Sequence, residues 1–561
     1  MSPSLTRSGL LVCGVAAAFV GSGALFSAWP LIAIGLCQIS AVLVLLILFV
    51  PQAALLRRRQ LEFAWWVPPG ETVGGALLQD RPLTLHLLFR NQAPFGLCLS
   101  RMRILAGTAL ELEQPELGAV LPARKEVLLT AKVTPRAAGY WFFHGLTVQV
   151  SDPFGAFALQ LYYPNLLSIK VFPQLGRLRE DIPFRPRTGA LDERAGLRQV
   201  RQRGLGTDLR EIREHIPGDP FKRIAWKATA RRRQLMVREL ESEIMVTHWL
   251  LLDVSASMRS RRPGRGKLDY AINLGAAYAR LALEAGDRVG LITFDHRVYS
   301  HLKPTDGRPQ LYRIIDRLME LHSIVDEDLT DLTEQELLAA VAEYLLHQEG
   351  LEVRLPAARR GDHPAAEVAM GPRGELYDGN AMVEAVASLL KRRRPTGASW
   401  WWNRVLAGSA WAAQLRLFCR LSGIEIPYRQ PSTLLGKEGG MADALRRAGA
   451  SRHSQLVVLV SDLEEMGETQ PVLDALRLVR RQHHRLLVVA PYAPAFLDEG
   501  GDAHARRVQE IFALRAERQR RGVRRQVERL GIPVLTASPQ DTLGSLLRRV
   551  GQQRHVSRAL G

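Results

Sequence analysis

Cysteine is scarce in this chain of 561 residues, and its four cysteines are far apart: Cys13, Cys37, Cys98 and Cys419. They form neither the closely spaced pairs that bind zinc nor a disulfide framework. This distribution fits a reducing compartment.

Several catalytic motifs are also absent. The sequence "GRGKLD" (264–269) lacks both the spacing of a Walker A loop and the hydroxyl residue after its lysine. G-x-S-x-G and H-E-x-x-H do not occur, which removes support for a serine hydrolase or a zincin. We therefore expect a chain that is not an enzyme and does not hydrolyse ATP.

Acidic residues are outnumbered, with 75 Lys and Arg against 56 Asp and Glu and a net charge of +19. Such an excess suggests an acidic partner, a nucleic acid or an anionic membrane surface. No recognised nucleic-acid-binding fold accompanies the basic residues, so we expect no nucleic-acid partner.

Two long segments, Leu10–Ala28 and Leu31–Val50, contain no charged residue. Each is long enough to cross a hydrocarbon core of roughly 30 Å as a helix, and the short link predicts a hairpin. Arg7 precedes the pair and Arg57–Arg59 follows it. Positive residues stay in the cytoplasm, which predicts a multi-pass protein of the inner (cytoplasmic) membrane with its large soluble part in the cytoplasm. A cleaved signal peptide and a soluble protein with two buried helices are the alternatives.

The rest of the chain changes pattern twice. Short β-rich runs between about 61 and 172 predict a small all-β sandwich. After a basic stretch, near-continuous apolar runs alternate with amphipathic helices, which predicts a doubly wound, parallel α/β sheet. Its candidate strands are Thr247–Leu252, Arg288–Phe294, Gln455–Val460, Leu486–Ala490 and Ile532–Leu535.

The predicted organisation is thus a multidomain α/β protein with five parts. They are a transmembrane helical hairpin (1–56), a β-sandwich (57–175), a basic connector (176–245), an α/β domain (246–322 and 441–561) and a mostly helical insertion (323–440).

The first α/β strand ends in a carboxylate that two hydroxyls follow at alternate positions: Asp253, Ser255 and Ser257. Ligands of doubly wound sheets lie beyond the carboxyl ends of the strands. Hard oxygens gathered there suit Mg²⁺ or Mn²⁺. Ordinary capping of the loop and the next helix by Asp and Ser is the alternative.

D-x-S-x-S after a first strand resembles the metal-ion-dependent adhesion site of von Willebrand factor A-like domains. The resemblance implies a Mg²⁺ or Mn²⁺ site of Asp253, Ser255 and Ser257, and "LVVLVSDLEE" (456–465) adds Asp462. It also implies that the metal accepts a carboxylate from a partner. The family's threonine ligand is replaced by Met441, a poor magnesium ligand. Ser432, Thr433 or Glu438 could substitute for it.

An upstream block is more specific. Its residues are Gly218-Asp219, Arg223, Ile224, Trp226, Lys227 and Ala230-Arg231. It resembles the core of the domain of unknown function 58 family, whose members are membrane-anchored bacterial proteins commonly encoded beside MoxR-type AAA+ ATPases. The resemblance implies such an ATPase as partner, together with a client protein that the sequence does not name.

Arg223, Trp226, Lys227 and Arg231 could form a docking surface. We favour a structural clamp between two domains instead, with Asp219 paired to Arg223 or Arg231, because Ile224, Trp226 and Leu235 call for burial.

The leading functional hypothesis is a membrane-anchored, non-enzymatic interaction and assembly factor that binds an acidic side chain through the metal and works with a MoxR-type ATPase. The alternatives are a metal-dependent hydrolase using Asp253 and Asp462, and a metal-free structural scaffold. The sequence does not fix the oligomeric state or the role of residues 323–440.

Overall fold

The structure is a computed structural model, and it describes most of the chain outside the stretches around 175–202, 356–367, 393–410, 428–435 and 550–561. The described residues are 3–57, 60–72, 75–174, 203–217, 219–241, 246–259, 263–322, 330, 332–355, 368–392, 411–427, 436–451, 453–464, 466, 468–496, 503–546 and 548–549.

The described helices and strands form two compact units, 1–172 with 322–430 and 173–321 with 431–561. The helices are α1 (Arg7–Leu25), α2 (Trp29–Arg57), α3 (Trp226–Arg232), α4 (Lys267–Glu284), α5 (Gly307–Met319), α6 (Glu334–Tyr344), α7 (Gly379–Arg392), α8 (Trp411–Ser422), α9 (Glu438–Ala448), α10 (Gln470–Arg481) and α11 (Ala503–Arg529). The strands are β1 (Ser4–Leu5), β2 (Leu61–Trp66), β3 (Leu77–Leu78), β4 (Leu83–Asn91), β5 (Leu97–Ala106), β6 (Leu110–Leu112), β7 (Glu116–Leu121), β8 (Glu126–Pro135), β9 (Gly139–Ser151), β10 (Phe157–Tyr163), β11 (Leu167–Phe172), β12 (Arg203–Glu214), β13 (Met236–Glu241), β14 (Thr247–Asp253), β15 (Arg288–Phe294), β16 (Val298–Thr305), β17 (Val368–Met370), β18 (Leu376–Asp378), β19 (Leu456–Val460), β20 (Arg485–Pro491) and β21 (Val534–Ala537).

The first unit begins with the helical pair α1 and α2, both long and apolar enough to cross a membrane. Most of their large apolar side chains are exposed. The two helices pack closely because small residues lie where they cross. A Cβ added at Gly35 would come within 2.6 Å of Val20 Cγ2 and 2.7 Å of the Ala16 carbonyl oxygen.

Substituting Gly35 with valine should separate the two helices and destabilise the pair by about 1–3 kcal/mol, because the crossing has no space for a side chain. Gly21→Val in α1 is the matched control, since a Cβ there meets no atom within 4 Å. Thermal loss of helicity in detergent micelles measures the difference. Equal midpoints for the two variants would contradict the close crossing.

Both ends of the helical pair are fastened to the β-sheets of the same unit. Before α1, β1 pairs with β10, and the Thr6 hydroxyl donates to the carbonyl of Ala156 at 3.1 Å. At the other end, Phe49, Ala53 and Leu56 of α2 are each 2% exposed and belong to the β-sheet core. Both ends of the helical hairpin therefore lie next to the same strand, β10.

Two β-sheets of the first unit share one hydrophobic core. One has four strands in the order β2-β4-β8-β6, and the other has seven strands built around β9. Alternate residues of β4, such as Leu85, Leu87 and Phe89, are fully buried between them. This inward-outward alternation is the sandwich pattern that the sequence predicts. In "DPFGAF", Asp152 accepts hydrogen bonds from the backbone of Phe154 and Phe157, which closes the turn.

The segment 322–430 is part of this first unit, although it interrupts the second unit in sequence. It contains α6, α7 and α8 with the short hairpin β17–β18. Its core includes Phe142 of β9 together with Leu415 and Phe418 of α8. This segment is therefore built onto the β-sheets of the first unit.

The second unit contains a six-stranded sheet in the order β16-β15-β14-β19-β20-β21. The five strands predicted from the sequence are its parallel strands, each within two residues of the predicted ends. The sixth, β16, runs antiparallel at the edge and was not predicted, because it alternates intermediate and exposed residues in place of an apolar run. The strand order reverses between β14 and β19, which is where ligands bind in such sheets.

Candidate functional site

The predicted site residues meet at that reversal of strand order. Leu252 of β14 lies opposite Val460 of β19, so Asp253, the last residue of β14, and Ser461, the first residue after β19, lie side by side at the edge of the sheet. The Ser461 hydroxyl donates to Asp253 Oδ2 at 2.6 Å. The parallel register of two buried apolar strands thus brings together residues more than 200 positions apart in sequence.

The loop after β14 folds back on its own aspartate. The backbone N–H of Ser255 donates to Asp253 Oδ1 at 2.9 Å, the Asx-type turn that short carboxylates favour. The hydroxyls of Ser255 and Ser257 lie 3.1 Å apart. Ser257 also donates to Asp462 Oδ1 at 3.1 Å. All four predicted metal ligands are therefore in one cluster, each 5% exposed or less.

The loop after β19 is sharply bent. Leu463 has a φ of +57°, a left-handed conformation that is uncommon for a branched residue. The Ser461 hydroxyl accepts from the N–H of Leu463, and Asp462 Oδ1 accepts from the N–H of Glu464. This bend turns Asp462 towards Ser257 and keeps Glu464 beside it.

A lysine occupies the centre of these oxygens. Lys437, just before α9, places its ammonium 2.9 Å from Asp253 Oδ2, 2.5 Å from Asp462 Oδ1 and 3.1 Å from the Ser257 hydroxyl. It is 3% exposed. Met441, which the sequence places at the expected threonine position, is fully buried in the apolar core one helical turn later.

A second lysine holds the outer side of the cluster. Lys267, the first residue of α4, donates to Asp462 Oδ2 at 2.7 Å and to Glu464 Oε2 at 2.8 Å. Asp462 therefore accepts from one lysine on each oxygen, while Asp253 accepts from Lys437. Three carboxylates and two ammonium groups make up this ion cluster, which consists of Asp253, Lys267, Lys437, Asp462 and Glu464.

Burial and charge pairing compete at each of these groups. Burial disfavours the charged form of Asp462, but Lys267 and Lys437 outweigh it and lower the Asp462 pKa far below its usual range. Burial also disfavours charged Lys437, yet Asp253 and Asp462 raise its pKa. At Glu464 the balance reverses, since burial and the neighbouring Asp462 together raise its pKa despite Lys267. Asp462 is thus firmly ionised, whereas Glu464 takes up a proton more easily than usual.

We expect Glu464→Gln to gain stability relative to the wild type as the pH rises. A raised carboxyl pKa means that the folded chain binds the proton more tightly than the unfolded chain does. Wild-type stability therefore falls between the ordinary pKa of 4.5 and the raised one, and glutamine removes that fall. Thermal unfolding in detergent at steps from acid to neutral pH measures it. The exposed control Glu284→Gln should follow the wild type, and a pH-independent difference at Glu464 would refute the prediction.

A magnesium ion does not fit this arrangement while Lys437 is in place. Magnesium requires oxygen ligands at about 2.0–2.1 Å in an octahedral shell. The point that is shared by Asp253, Ser257 and Asp462 already holds the Lys437 nitrogen. Among the described residues, no group of three or more His, Cys, Asp or Glu side chains could hold a metal. The magnesium site stays a prediction from sequence, and magnesium could bind there only if the Lys437 side chain moved out of the cluster.

The upstream motif lies outside this cluster, on α3 and the β12–β13 hairpin. Two expectations about it were wrong. Asp219 pairs with Arg213, at 2.7 and 2.8 Å, and not with Arg223 or Arg231, because Arg213 lies on the adjoining strand end. Trp226 and Leu235 are 65% and 47% exposed, and only Ile224 of the expected buried trio is buried.

The motif instead presents an aromatic and basic surface, which we call the α3 surface. The aromatic side chains of Phe221 and Trp226 are 78% and 65% exposed. Lys227 and Arg231 are exposed on α3, and Arg223 is half-buried in the turn before that helix. The burial rule for tryptophan fails here because a seven-residue helix offers little surface to cover its ring.

The sequence interpretation missed both lysines of the ion cluster. A signal exists, since Lys267 and Lys437 lie at the N-termini of α4 and α9. A positive charge there opposes the helix dipole, so a lysine in that position calls for a specific carboxylate partner.

Part of this chain matches a known protein family. Residues 211–348 match a family model described as "Protein of unknown function DUF58". This region, about a quarter of the chain, is similar to the DUF58 family. The DUF58 region contains the α3 surface, the D-x-S-x-S loop and Lys267. Asp462 and Lys437 lie beyond its matched boundary.

Similar curated proteins include "Uncharacterized protein Rv1480" of Mycobacterium tuberculosis (strain ATCC 25618 / H37Rv) and "Uncharacterized protein Mb1516" of Mycobacterium bovis. Each is 28% identical over 112 residues, which is 20% of this chain and 35% of the relative. The chain thus spans about a third of the length of these relatives. Among solved structures, a fragment of native alpha-2-macroglobulin from Escherichia coli is 11% identical over 88% of this chain and 62% of its own, with a TM-score of 0.17. That score supports no argument about this chain.

Proposed function

We propose that this protein is a membrane-anchored, non-enzymatic interaction and assembly factor that works with a MoxR-type AAA+ ATPase on a client protein. The helical pair is its anchor, with both ends and the soluble units in the cytoplasm. The α/β unit is its von Willebrand A-like interaction domain. The ATPase partner is inferred from the resemblance of residues 211–348 to the DUF58 family.

The observation that carries this proposal is the exposure of Phe221 and Trp226 beside three basic residues on the α3 surface. Aromatic and arginine side chains dominate the binding energy of protein interfaces. Lone exposed apolar side chains are ordinary, but two large aromatics exposed within six residues, on a turn and the helix that follows it, favour an interaction site. The surrounding positive charge favours an acidic face on the ATPase.

The ion cluster supports a binding role over a hydrolytic one. A general base works best with a pKa near the operating pH. The Asp462 pKa is far below that range because two lysines hold its oxygens. Asp253 accepts from Lys437 and Ser461 on one oxygen and from Ser255 on the other. The metal-bridged form of partner binding requires Lys437 to withdraw, and the docking proposed at the α3 surface does not.

Capture of a MoxR-type ATPase from the same genome by the full-length chain in detergent tests the proposal. Trp226→Ala should weaken capture by roughly 10-fold or more, as expected for an aromatic hot spot of about 2 kcal/mol. Tyr312→Ala, an aromatic residue 58% exposed on α5, is the matched control and should bind as the wild type does. Unchanged capture by the Trp226 variant, or no capture by the wild type with ATP present, would overturn the proposal.

A further inference from the structure

In the ion cluster, a lysine ammonium group occupies the position where a divalent cation is expected. The Lys437 nitrogen lies within hydrogen-bonding distance of Asp253, Ser257 and Asp462, three of the four oxygens assigned to the metal. An ammonium group donates three hydrogen bonds and accepts none. Three acceptors surround it here, so every N–H of Lys437 has a partner.

We propose that Lys437 is the resident cation of this site, and that its ammonium permanently replaces the divalent metal ion. The site is then a closed internal salt bridge that holds no magnesium in the native protein. Any partner recognised at this edge of the sheet is recognised without a metal bridge.

Charge balance supports this replacement. Two aspartates meet here with side chains that are fully buried, and buried like charges need a compensating cation. Lys437 supplies one positive charge between them, and Lys267 supplies another to Asp462 and Glu464. A divalent ion added to the same pocket would bring excess positive charge next to two buried ammonium groups.

The position of Lys437 in the fold makes the replacement stable. It immediately precedes α9, whose Met441, Ala444 and Leu445 are fully buried against the sheet. The close approach of Gly440 to the Asp295 carbonyl, which leaves no space for a Cβ, fixes the start of this helix. The backbone from which the Lys437 side chain reaches the cluster is therefore held in place.

Removing the ammonium should convert the cluster into a metal site. In Lys437→Thr the shorter side chain leaves space between two carboxylates and adds an oxygen ligand. The full-length variant in detergent should be less stable than the wild type in chelator, and millimolar Mg²⁺ should restore its unfolding temperature. We expect its Mn²⁺ affinity, measured from the paramagnetic resonance signal of free Mn²⁺, to exceed that of the wild type by about 100-fold or more.

Lys267→Met is the matched control, because it removes the other buried lysine and leaves Lys437 in place. It should be destabilised without any recovery in Mg²⁺. The wild type should show the same unfolding temperature in chelator and in Mg²⁺, and no stoichiometric Mn²⁺ binding.

Stoichiometric Mn²⁺ binding by the wild type that Asp253→Asn abolishes would overturn the proposal. A folded Lys437→Thr variant that Mg²⁺ leaves unchanged would also overturn it. If Lys437→Thr does not fold in either condition, the wild-type titration decides: binding lost in Asp253→Asn refutes the proposal, and absence of binding upholds it. These results are independent of ATPase capture, which Trp226→Ala tests.

Discussion

Asp253→Ala should destabilise the α/β unit by roughly 3–5 kcal/mol, because it leaves the buried Lys437 ammonium without one of its two carboxylates. The same change removes the acceptor of the Ser461 hydroxyl and of the Ser255 backbone. Hydrogen exchange of peptides covering β14 measures the loss within this unit of the full-length chain.

The control for this change is Asp443→Ala. Asp443 pairs with Arg447 at 2.8 Å, but both side chains are about half exposed. Exposed ion pairs contribute little, so the change should cost less than about 0.5 kcal/mol. Equal protection of β14 in the two variants would show that the ion cluster does not stabilise the unit.

A double variant separates charge from packing. In Asp253→Ala, Lys437 keeps Asp462 as its partner, so two lysines still face two carboxylates. Adding Lys437→Met leaves Asp462 and Glu464 to share Lys267, which leaves one buried carboxylate uncompensated. The double variant should therefore be less stable than Asp253→Ala alone, and a double variant that is equally stable or more stable would contradict the charge argument.

The second large effect concerns where a soluble fragment begins. A fragment starting at Gln60 loses Phe49, Ala53 and Leu56, which are part of the core between the two β-sheets. The Phe49 ring stacks on Phe157 with centroids 6.5 Å apart. A fragment starting at Ile47 keeps all three and should be more stable by about 5 kcal/mol, since deleting a buried Phe or Leu costs roughly 2–5 kcal/mol each.

Denaturant unfolding of the two fragments measures this difference. Both lack β1, so the comparison isolates the end of α2. Leu48 and Val50 are exposed and should be changed to glutamate and lysine in the longer fragment to keep it soluble. Equal unfolding midpoints would show that the helix end does not contribute to the β-sheet core.

The strands of the α/β unit and the meeting of its two aspartates could be predicted well, because a single physical rule determines each of them. Buried parallel strands are apolar runs, so the five runs ending at Leu252, Phe294, Val460, Ala490 and Leu535 could be read directly. The meeting of Asp253 and Asp462 followed from the rule that the carboxyl ends of such strands share one edge. Neither inference needed side-chain detail.

The sequence-based predictions failed where the answer depends on contacts between side chains that are far apart in sequence. Nothing in the spacing of Lys437 says that its flexible stem ends between two aspartates. The exposure of Trp226 also could not be read from its residue type, because burial depends on what else covers a short helix. The segment 322–430 has helical periodicity, which reveals its secondary structure but not which core it completes.

Because β1 is paired with β10 while the end of α2 is buried in the same unit, both ends of the helical pair are fixed to the β-sheets. A domain joined to a bilayer by a single flexible tether can rotate freely. If the helical pair spans a bilayer, as we propose, the two attachments fix the orientation of the β-sheets relative to the lipid, and a force on those sheets tilts both helices together.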